Sequence, residues 1–371
     1  MTSLFSRLRP RKKPAWQIVA PLILVLLLAV GWSVYWMVAA TRAMEVIDQV
    51  LAREKAKGLE ISCADRRIVG YPFKFLLDCN SLRVVRQMPL SQISLTASRL
   101  VVVARAYNFN HMIGELYGPF ELTTGRKSSP NAKVVDVRKL FSGNAKTVTS
   151  SLIVQDQVLQ ESTLVIRNLT GTLVDYSNQN APQDTATDLK EAVINIRSTS
   201  DTSNFIGDYE VAGVVKNLFL VGGSANFQSD KGTRLDDARM RVKLSNAPYR
   251  LTGKPLDWLR AWKANDGAAQ VTDFNATSGA LKLKGKGQFK LDDQGRVQGV
   301  LKTKMIGLDS VINDLVASGK IREKDAELGL VAINLLGNAG ADGVKIALRA
   351  KKGKAYFGPF KIANLEPLFD Q

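Results

Sequence analysis

LKLKGKGQFKLDDQGRVQGVLKTKM, residues 281–305, alternates with a period of two. Leu281, Leu283, Gly285, Gly287, Phe289 and Leu291 fall on one side of an extended chain; Lys282, Lys284, Lys286, Gln288 and Lys290 fall on the other. Successive side chains of a strand point to opposite faces, so this segment reads as a strand with one dry face. Asp292-Asp293-Gln294-Gly295 supplies turn chemistry, because Asp tolerates turn conformations and Gly295 accepts a positive φ. A second alternating run through Val297, Leu301 and Met305 completes a hairpin.

The same period recurs outward from this point. Val344, Ile346, Leu348 and Ala350 alternate with Lys345, Arg349 and Lys351, and Lys352-Gly353-Lys354 turns the chain into Tyr356-Phe357-Gly358-Pro359-Phe360. Further strands are expected at Ser98–Ala106, Leu152–Gln157, Leu164–Leu173, Ala192–Arg197, Tyr209–Val215, Leu218–Phe227 and Ala238–Leu244. The polar stretches Ser177–Asp188 and Ser198–Asn204 read as exposed loops. Helical signals are few: Lys254–Ala264, with Pro255 near its start, and Leu308–Ser318, ending at Gly319. The expected fold is mainly β, a large, curved, mostly antiparallel sheet with a few covering helices. Tyr117-Gly118-Pro119-Phe120 and Tyr356-Phe357-Gly358-Pro359-Phe360 echo each other, a pattern suited to an edge strand that bends.

The N-terminus follows other rules. Trp16 to Trp36 carries no charge and is about the length of roughly 20 residues that a helix needs to cross a bilayer. Trp16 at one end and Trp32, Tyr35 and Trp36 at the other suit the headgroup levels. Arg7, Arg9, Arg11, Lys12 and Lys13 precede this span without an acidic residue, which by the positive-inside bias keeps the N-terminus cytoplasmic and exports the rest. Val38-Ala39-Ala40 also offers small residues for cleavage, but the apolar run exceeds the about 7–15 residues of a signal peptide, so an uncleaved anchor is the better reading. Met44, Ile47 and Leu51 then recur at helical spacing toward Gly58. The expected organisation is a basic cytoplasmic tail over 1–15, an anchor over 16–38, a helical stalk over 39–58 and a β-rich exported region over 59–371. That region is one domain or two halves meeting near residue 250.

Exportation bears on the two cysteines, Cys63 and Cys79, which flank ADRRIVGYPFKFLLD. Two thiols with no third competitor in an oxidising space read as a disulfide rather than a metal site or a redox pair. Leu59, Ile61 and Cys63 share one face of a short strand, as do Phe73, Phe75, Leu77 and Cys79, with Gly70-Tyr71-Pro72 as the bend between.

Catalytic motifs are lacking. His111 is the only histidine, and the chain has no G-x-S-x-G elbow, no H-E-x-x-H, no P-loop and no dinucleotide fingerprint. No cofactor is implied, and the expectation is a non-enzymatic protein. The charge says more: of the net +17, five positive charges lie in the tail, which leaves +12 on the exported part. Nucleic acid does not suit that compartment; anionic headgroups or an acidic envelope protein do. The candidate basic patch is Lys282, Lys284, Lys286, Lys290, Lys302 and Lys304. Its plainer reading is a solvated sheet face whose lysines discourage edge pairing.

Placed together, these segments resemble an uncharacterised bacterial envelope family, a domain of unknown function. Its members join an N-terminal anchor to a cysteine-flanked Gly-aromatic-Pro-aromatic-basic segment, here Gly70-Tyr71-Pro72-Phe73-Lys74. Tyr107 with His111-Met112-Ile113 before Gly118-Pro119, and Gly358-Pro359 with Pro367-Leu368, match its later motifs; Glu366 departs from them where a second proline is expected. The resemblance covers nearly the whole chain and implies a periplasmic topology but no reaction. The expected role is a single-span inner-membrane protein that binds or handles lipid, or another apolar envelope ligand, on its sheet. The alternative is a scaffold that docks an envelope protein.

Overall fold

In a computed structural model the described residues are 16–88, 90–127, 134–156, 158–176, 182–199, 206–222, 233–248, 255–307, 343–358 and 360–369, with isolated positions between them. The expected basic tail and the helix at Leu308–Ser318 lie outside these segments, apart from residue 316. Helix α1 covers Trp16–Ala56, so anchor and stalk are one unbroken helix. The strands are β1 (Leu59–Ser62), β2 (Asp65–Val69), β3 (Lys74–Gln87), β4 (Ser91–Arg105), β5 (Asn108–Lys127), β6 (Val134–Gln155), β7 (Val158–Asp175), β8 (Gln183–Ser198), β9 (Ile206–Gly222) and β10 (Thr233–Pro248). After α2 (Pro255–Ala264) come β11 (Ala268–Ser278), β12 (Leu281–Leu291), β13 (Val297–Ile306), β14 (Val344–Lys351), β15 (Lys354–Phe357) and β16 (Phe360–Asn364).

All of these strands join one sheet, and every neighbouring pair is antiparallel. From β3 to β16 spatial order equals chain order, a meander in which each strand pairs with the one before it. The exception is the start, where β1 and β2 both pair with β3. Cys63 lies between β1 and β2, beside Cys79 of β3; the disulfide joins them with a Cα separation of 5.5 Å. The hairpins predicted from the quoted stretch and from residues 344–357 are present as β12–β13 and β14–β15. Asp292 closes the first as its chemistry suggests, accepting hydrogen bonds from the backbone N–H groups of Gln294 (3.0 Å) and Arg296 (2.9 Å).

Three expectations change. Residues 183–188, taken as loop, belong to β8: Asp184 and Asp188 lie on its solvated side, while Thr185 and the buried Thr187 alternate with them on the side of Leu189. The Gly118-Pro119 pair is in β5, between β4 and β6, and not on an edge. A shift of register there on both sides spares the missing proline N–H from the ladder. Tyr209–Val215 and the described part of Leu218–Phe227 are one strand: residues 206–222 form β9 without a break, and 223–227 lie outside the described residues.

The reason is a crease across the sheet. Asn217 has a φ of 48°, and Asn168 of β7 and Ser81 of β3 each have a φ of 50°. The ladder passes over the pairs Ser81–Ser98, Lys146–Asn168, Asn168–Lys190, Lys190–Asn217 and Asn217–Asp236, with pairing resumed on either side. Residues three apart across this line lie on the same face: Cys79 and Leu82 share one cluster, which Val148 and Ala145 also join. Strict alternation would separate them. Apolar pairs repeat that spacing, Ile166 with Leu169, Val215 with Leu218, Ala238 with Leu235. The left-handed residue restores the apolar side, and Asn adopts that conformation because its short polar side chain bonds locally.

Two outcomes test this frame. Asn217→Gly is expected to leave stability unchanged, whereas Asn217→Val is expected to cost about 1–2 kcal/mol in thermal or denaturant unfolding. Cys63→Ser with Cys79→Ser is expected to cost about 3 kcal/mol, the chain entropy of a loop of this size, and to loosen the β1–β3 edge in hydrogen exchange.

Candidate functional site

Directly paired residues of an antiparallel ladder point to the same face, so the registers trace each face across the strands. One row runs Cys79, Leu100, Leu116, Val148, Ile166, Ala192, Val215, Ala238, Ala276, Leu283, Met305, Val344. None is polar over twelve strands. The next row on that face runs Leu77, Val102, Gly114, Ser150, Leu164, Ile194, Gly213, Met240, Phe274, Gly285, Thr303 and Ile346, apolar but for Ser150 and the buried Thr303. The opposite face carries the ion pairs: Arg67–Asp78–Arg99, Arg167–Glu191–Lys216, Arg239–Asp237 and Arg241–Glu210.

Burial along the apolar face is uneven. At the α1 end, Cys79, Leu82, Ala97 and Phe120 are buried with Ile61, Leu100 and Leu116 around them. Farther along the sheet, at the same ends of the strands, α2 lies on the face over β9 to β12, placing Trp262 and Trp258 against Tyr209, Leu244, Ala269 and Leu291. The Trp262 and Trp258 indole N–H groups donate to the Ser245 (2.9 Å) and Pro248 (3.0 Å) carbonyls, which fixes both rings. Between these clusters Leu164, Ile166 and Val215 are half-buried, and Ile194 and Met240 are 47% and 43% exposed. A compact 40.6 kDa chain exposes about 14,600 Å², whereas this one exposes 24746 Å². The extended α1, exposed along most of its length, contributes to this excess.

The apolar face meets α1 at one end of the strands. Helix α1 is long and apolar enough to cross a membrane. Where that apolar stretch ends, Trp32 Nε1 donates to the Pro72 carbonyl (2.9 Å), Ser33 shares a hydrogen bond with the Tyr71 hydroxyl (2.7 Å) and Trp36 Nε1 donates to the Lys74 carbonyl (3.2 Å). The Trp36 ring stacks on Phe75 at 5.3 Å, and Phe75 stacks on Phe109 at 5.4 Å. The Gly70–Phe73 segment is the β2–β3 turn. Gly70 has a φ of 107°, and a Cβ there would meet the Lys74 carbonyl oxygen at 2.8 Å, so the turn requires glycine.

The lysines form a second surface. Lys284 pairs with Lys304, Lys304 with Lys345, and Lys286 with Lys302, all on the polar face. Lys282 and Lys290 sit toward the two ends of β12 on that face, opposite Ile306 and Gln298. A shallow trough of ≈ 580 Å³ is lined by Lys284, Lys286, Lys302, Lys304 and Lys345. Lys345 is the member that sequence reasoning left out: its alternation gave the face, but only the β13–β14 register places it beside Lys304. Asp273 lines the same trough, whose charge is otherwise cationic.

Among the described residues no group of three His, Cys, Asp or Glu side chains is arranged to hold a metal ion. His111 Nε2 hydrogen-bonds Ser151 Oγ at 2.9 Å across β5 and β6. Asp78 accepts from Arg99 Nε at 2.6 Å and from the Arg67 guanidinium at 3.1 Å. The Arg99 hydrogen bond holds its carboxyl below the usual carboxylate range against the opposing effect of burial, with Arg67 adding to the depression. Tyr117, which donates to Glu115 at 2.6 Å, has its hydroxyl pushed up by that bond. The Asp78 pairings tie β2, β3 and β4 together across the polar face, and the His111–Ser151 bond joins β5 to β6.

The Asp78 pairing sets a pH dependence. A depressed carboxyl stabilises the fold fully above the ordinary Asp range, about pH 4, and that contribution fades as pH falls through the lowered value. Asp78→Asn is expected to lower the thermal midpoint at neutral pH and to flatten the loss of stability on acidification below about pH 4, read by circular dichroism at several pH values.

Neither a curated protein nor a solved structure matches the chain. Residues 36–366 match the family described as "Uncharacterized protein conserved in bacteria (DUF2125)". That match spans the end of α1, the cysteine-flanked turn and the entire described sheet, and the chain belongs to this bacterial family.

Proposed function

We propose that α1 anchors this protein in the bacterial inner membrane, with the N-terminus cytoplasmic and residues 59–371 in the periplasm. There its apolar sheet face takes lipid acyl chains or an equally apolar envelope ligand, without catalysis. One observation carries the reading: a row of apolar side chains twelve strands wide is packed in a buried cluster at its Cys79 edge and is only half-buried from Ile166 to Met305, with Ile194 and Met240 exposed beside it. Apolar surface of that extent is seldom left to water, and its removal from water is worth roughly 25 cal/mol per Å². An acyl chain suits it better than a folded domain, because the row is long, narrow and without polar groups to fix an orientation.

Other features support the placement. The cationic tail ahead of the apolar helix favours a cytoplasmic N-terminus. The Cys63–Cys79 bridge suits an oxidising compartment. Trp36 stacked on Phe75 makes a continuous apolar path from the helix to the sheet face.

A photo-crosslinking side chain at Ile194 or Met240 in cells is the test. Phospholipid adducts are expected at both positions and not at Arg239, which neighbours Met240 on the opposite face. No adduct at Ile194 and Met240, or an equal yield at Arg239, would overturn the reading.

A second reading, a scaffold for an acidic envelope protein, has the lysine trough in its favour. Combining Lys284→Glu, Lys286→Glu and Lys302→Glu separates the two. Loss of a co-purifying protein with lipid adducts intact supports the scaffold; unchanged partners refute it.

A further inference from the structure

The Gly70–Phe73 turn has a use that neither reading assigns. Tyr71 and Phe73 in this turn are 54% and 70% exposed; Tyr107 and Phe109, around the neighbouring β4–β5 turn, are 70% and 49% exposed. The two turns lie at the same end of the sheet, since Lys74 pairs with Arg105 and Phe75 stacks on Phe109. Four large rings at one end of a sheet are an unusual concentration of wetted aromatic surface.

Their level relative to α1 is fixed by hydrogen bonds. Tyr71 meets Ser33, which lies 17 residues beyond Trp16. At 1.5 Å per residue that is about 26 Å, close to the roughly 30 Å of a hydrocarbon core. If Trp16 marks one headgroup level, Tyr71 lies at the other. Aromatic rings favour that layer, where the ring is partly dry and the polar atom partly hydrated. Lys74 and Arg105 are exposed beside the rings, with the Arg105 guanidinium 6.0 Å from the Tyr107 centroid, and cations at this depth meet lipid phosphates.

We infer that the β2–β3 and β4–β5 turns form a membrane-seating edge, whose occupant is the phospholipid headgroup layer around α1. Tyr71, Phe73, Tyr107 and Phe109 dip into that layer while Lys74 and Arg105 hold its phosphates. The sheet then stands on the bilayer at a fixed angle, and its apolar face begins at Phe75 where the lipid ends. The inference rests on the anchor of the proposed function but not on acyl-chain binding by the sheet.

The test uses the full chain in vesicles of phosphatidylcholine and phosphatidylglycerol, with Cys63 and Cys79 left bridged. Single substitutions Phe73→Cys, Tyr107→Cys, Leu26→Cys and Val137→Cys each carry an environment-sensitive fluorophore. Val137 is 63% exposed at the far end of β6 and reports water; Leu26 reports the span. Fluorophores at positions 73 and 107 are expected to be quenched by lipids spin-labelled near the headgroup and shielded several-fold from aqueous iodide relative to position 137. Iodide quenching at 73 and 107 equal to that at 137, with 26 still shielded, would overturn the seating edge alone. Iodide access at position 26 would overturn the anchor and the edge together. Because a label could displace its own turn, Phe109→Trp provides an unlabelled check: a gain in quenching by headgroup-brominated lipid over the parent chain supports the edge, and no gain refutes it.

Discussion

Antiparallel register is the constraint on which this structure depends. A sheet has a side-chain period of two, so one residue of slip in any strand would move its apolar set to the polar face. Twelve strands from β3 to β14 nevertheless hold a common apolar row from Cys79 to Val344. A single layer has no second sheet to correct an error, and each register must therefore be specified locally. Short connections such as the Asp292–Gly295 turn and ion pairs such as Arg67–Asp78–Arg99 provide that specification.

The crease shows how strictly the face is kept. Strands of 16 to 22 residues are long for a protein sheet, and the line through Ser81, Asn168 and Asn217 breaks their regular pleat. A bend alone would have reversed the alternation beyond it. The sequence compensates by spacing its apolar residues three apart at that line, so that Leu82, Leu169, Leu189, Leu218 and Leu235 continue the apolar side. Backbone conformation and hydrophobic pattern agree at each crossing, the consistency that defines a well-specified fold.

The two faces divide the chemistry. The apolar face is packed at the disulfide-linked edge and capped by α2 at the strand ends of β9 to β12, and the row between Ile166 and Met305 is left half-buried. The polar face pairs most of its charges, then gathers lysines on β12, β13 and β14. Helix α1 reaches the first strands through the β2–β3 turn, so the cysteine-flanked motif sets where the sheet stands relative to the apolar helix. The disulfide binds the motif's two flanks, and the motif binds the helix.

Much of this was legible in the sequence. The alternation of Leu281–Leu291 and Val344–Ala350 determined strands with one dry face, the uncharged Trp16–Trp36 run determined an apolar helix of spanning length, and the Cys63–Cys79 pair and the Asp292 turn followed from local chemistry. These depend on neighbours a few residues apart, which a sequence displays directly. The tertiary structure alone decided which face each strand shares with strands far off in the chain, as Cys79 shares a row with Val344. It placed Lys345 beside Lys304, made one strand of residues 206–222 despite a broken period, and set Pro119 inside the sheet. Those features arise from register, bulges and left-handed residues whose effect is felt across strands, and period-two counting within one strand cannot see across a ladder.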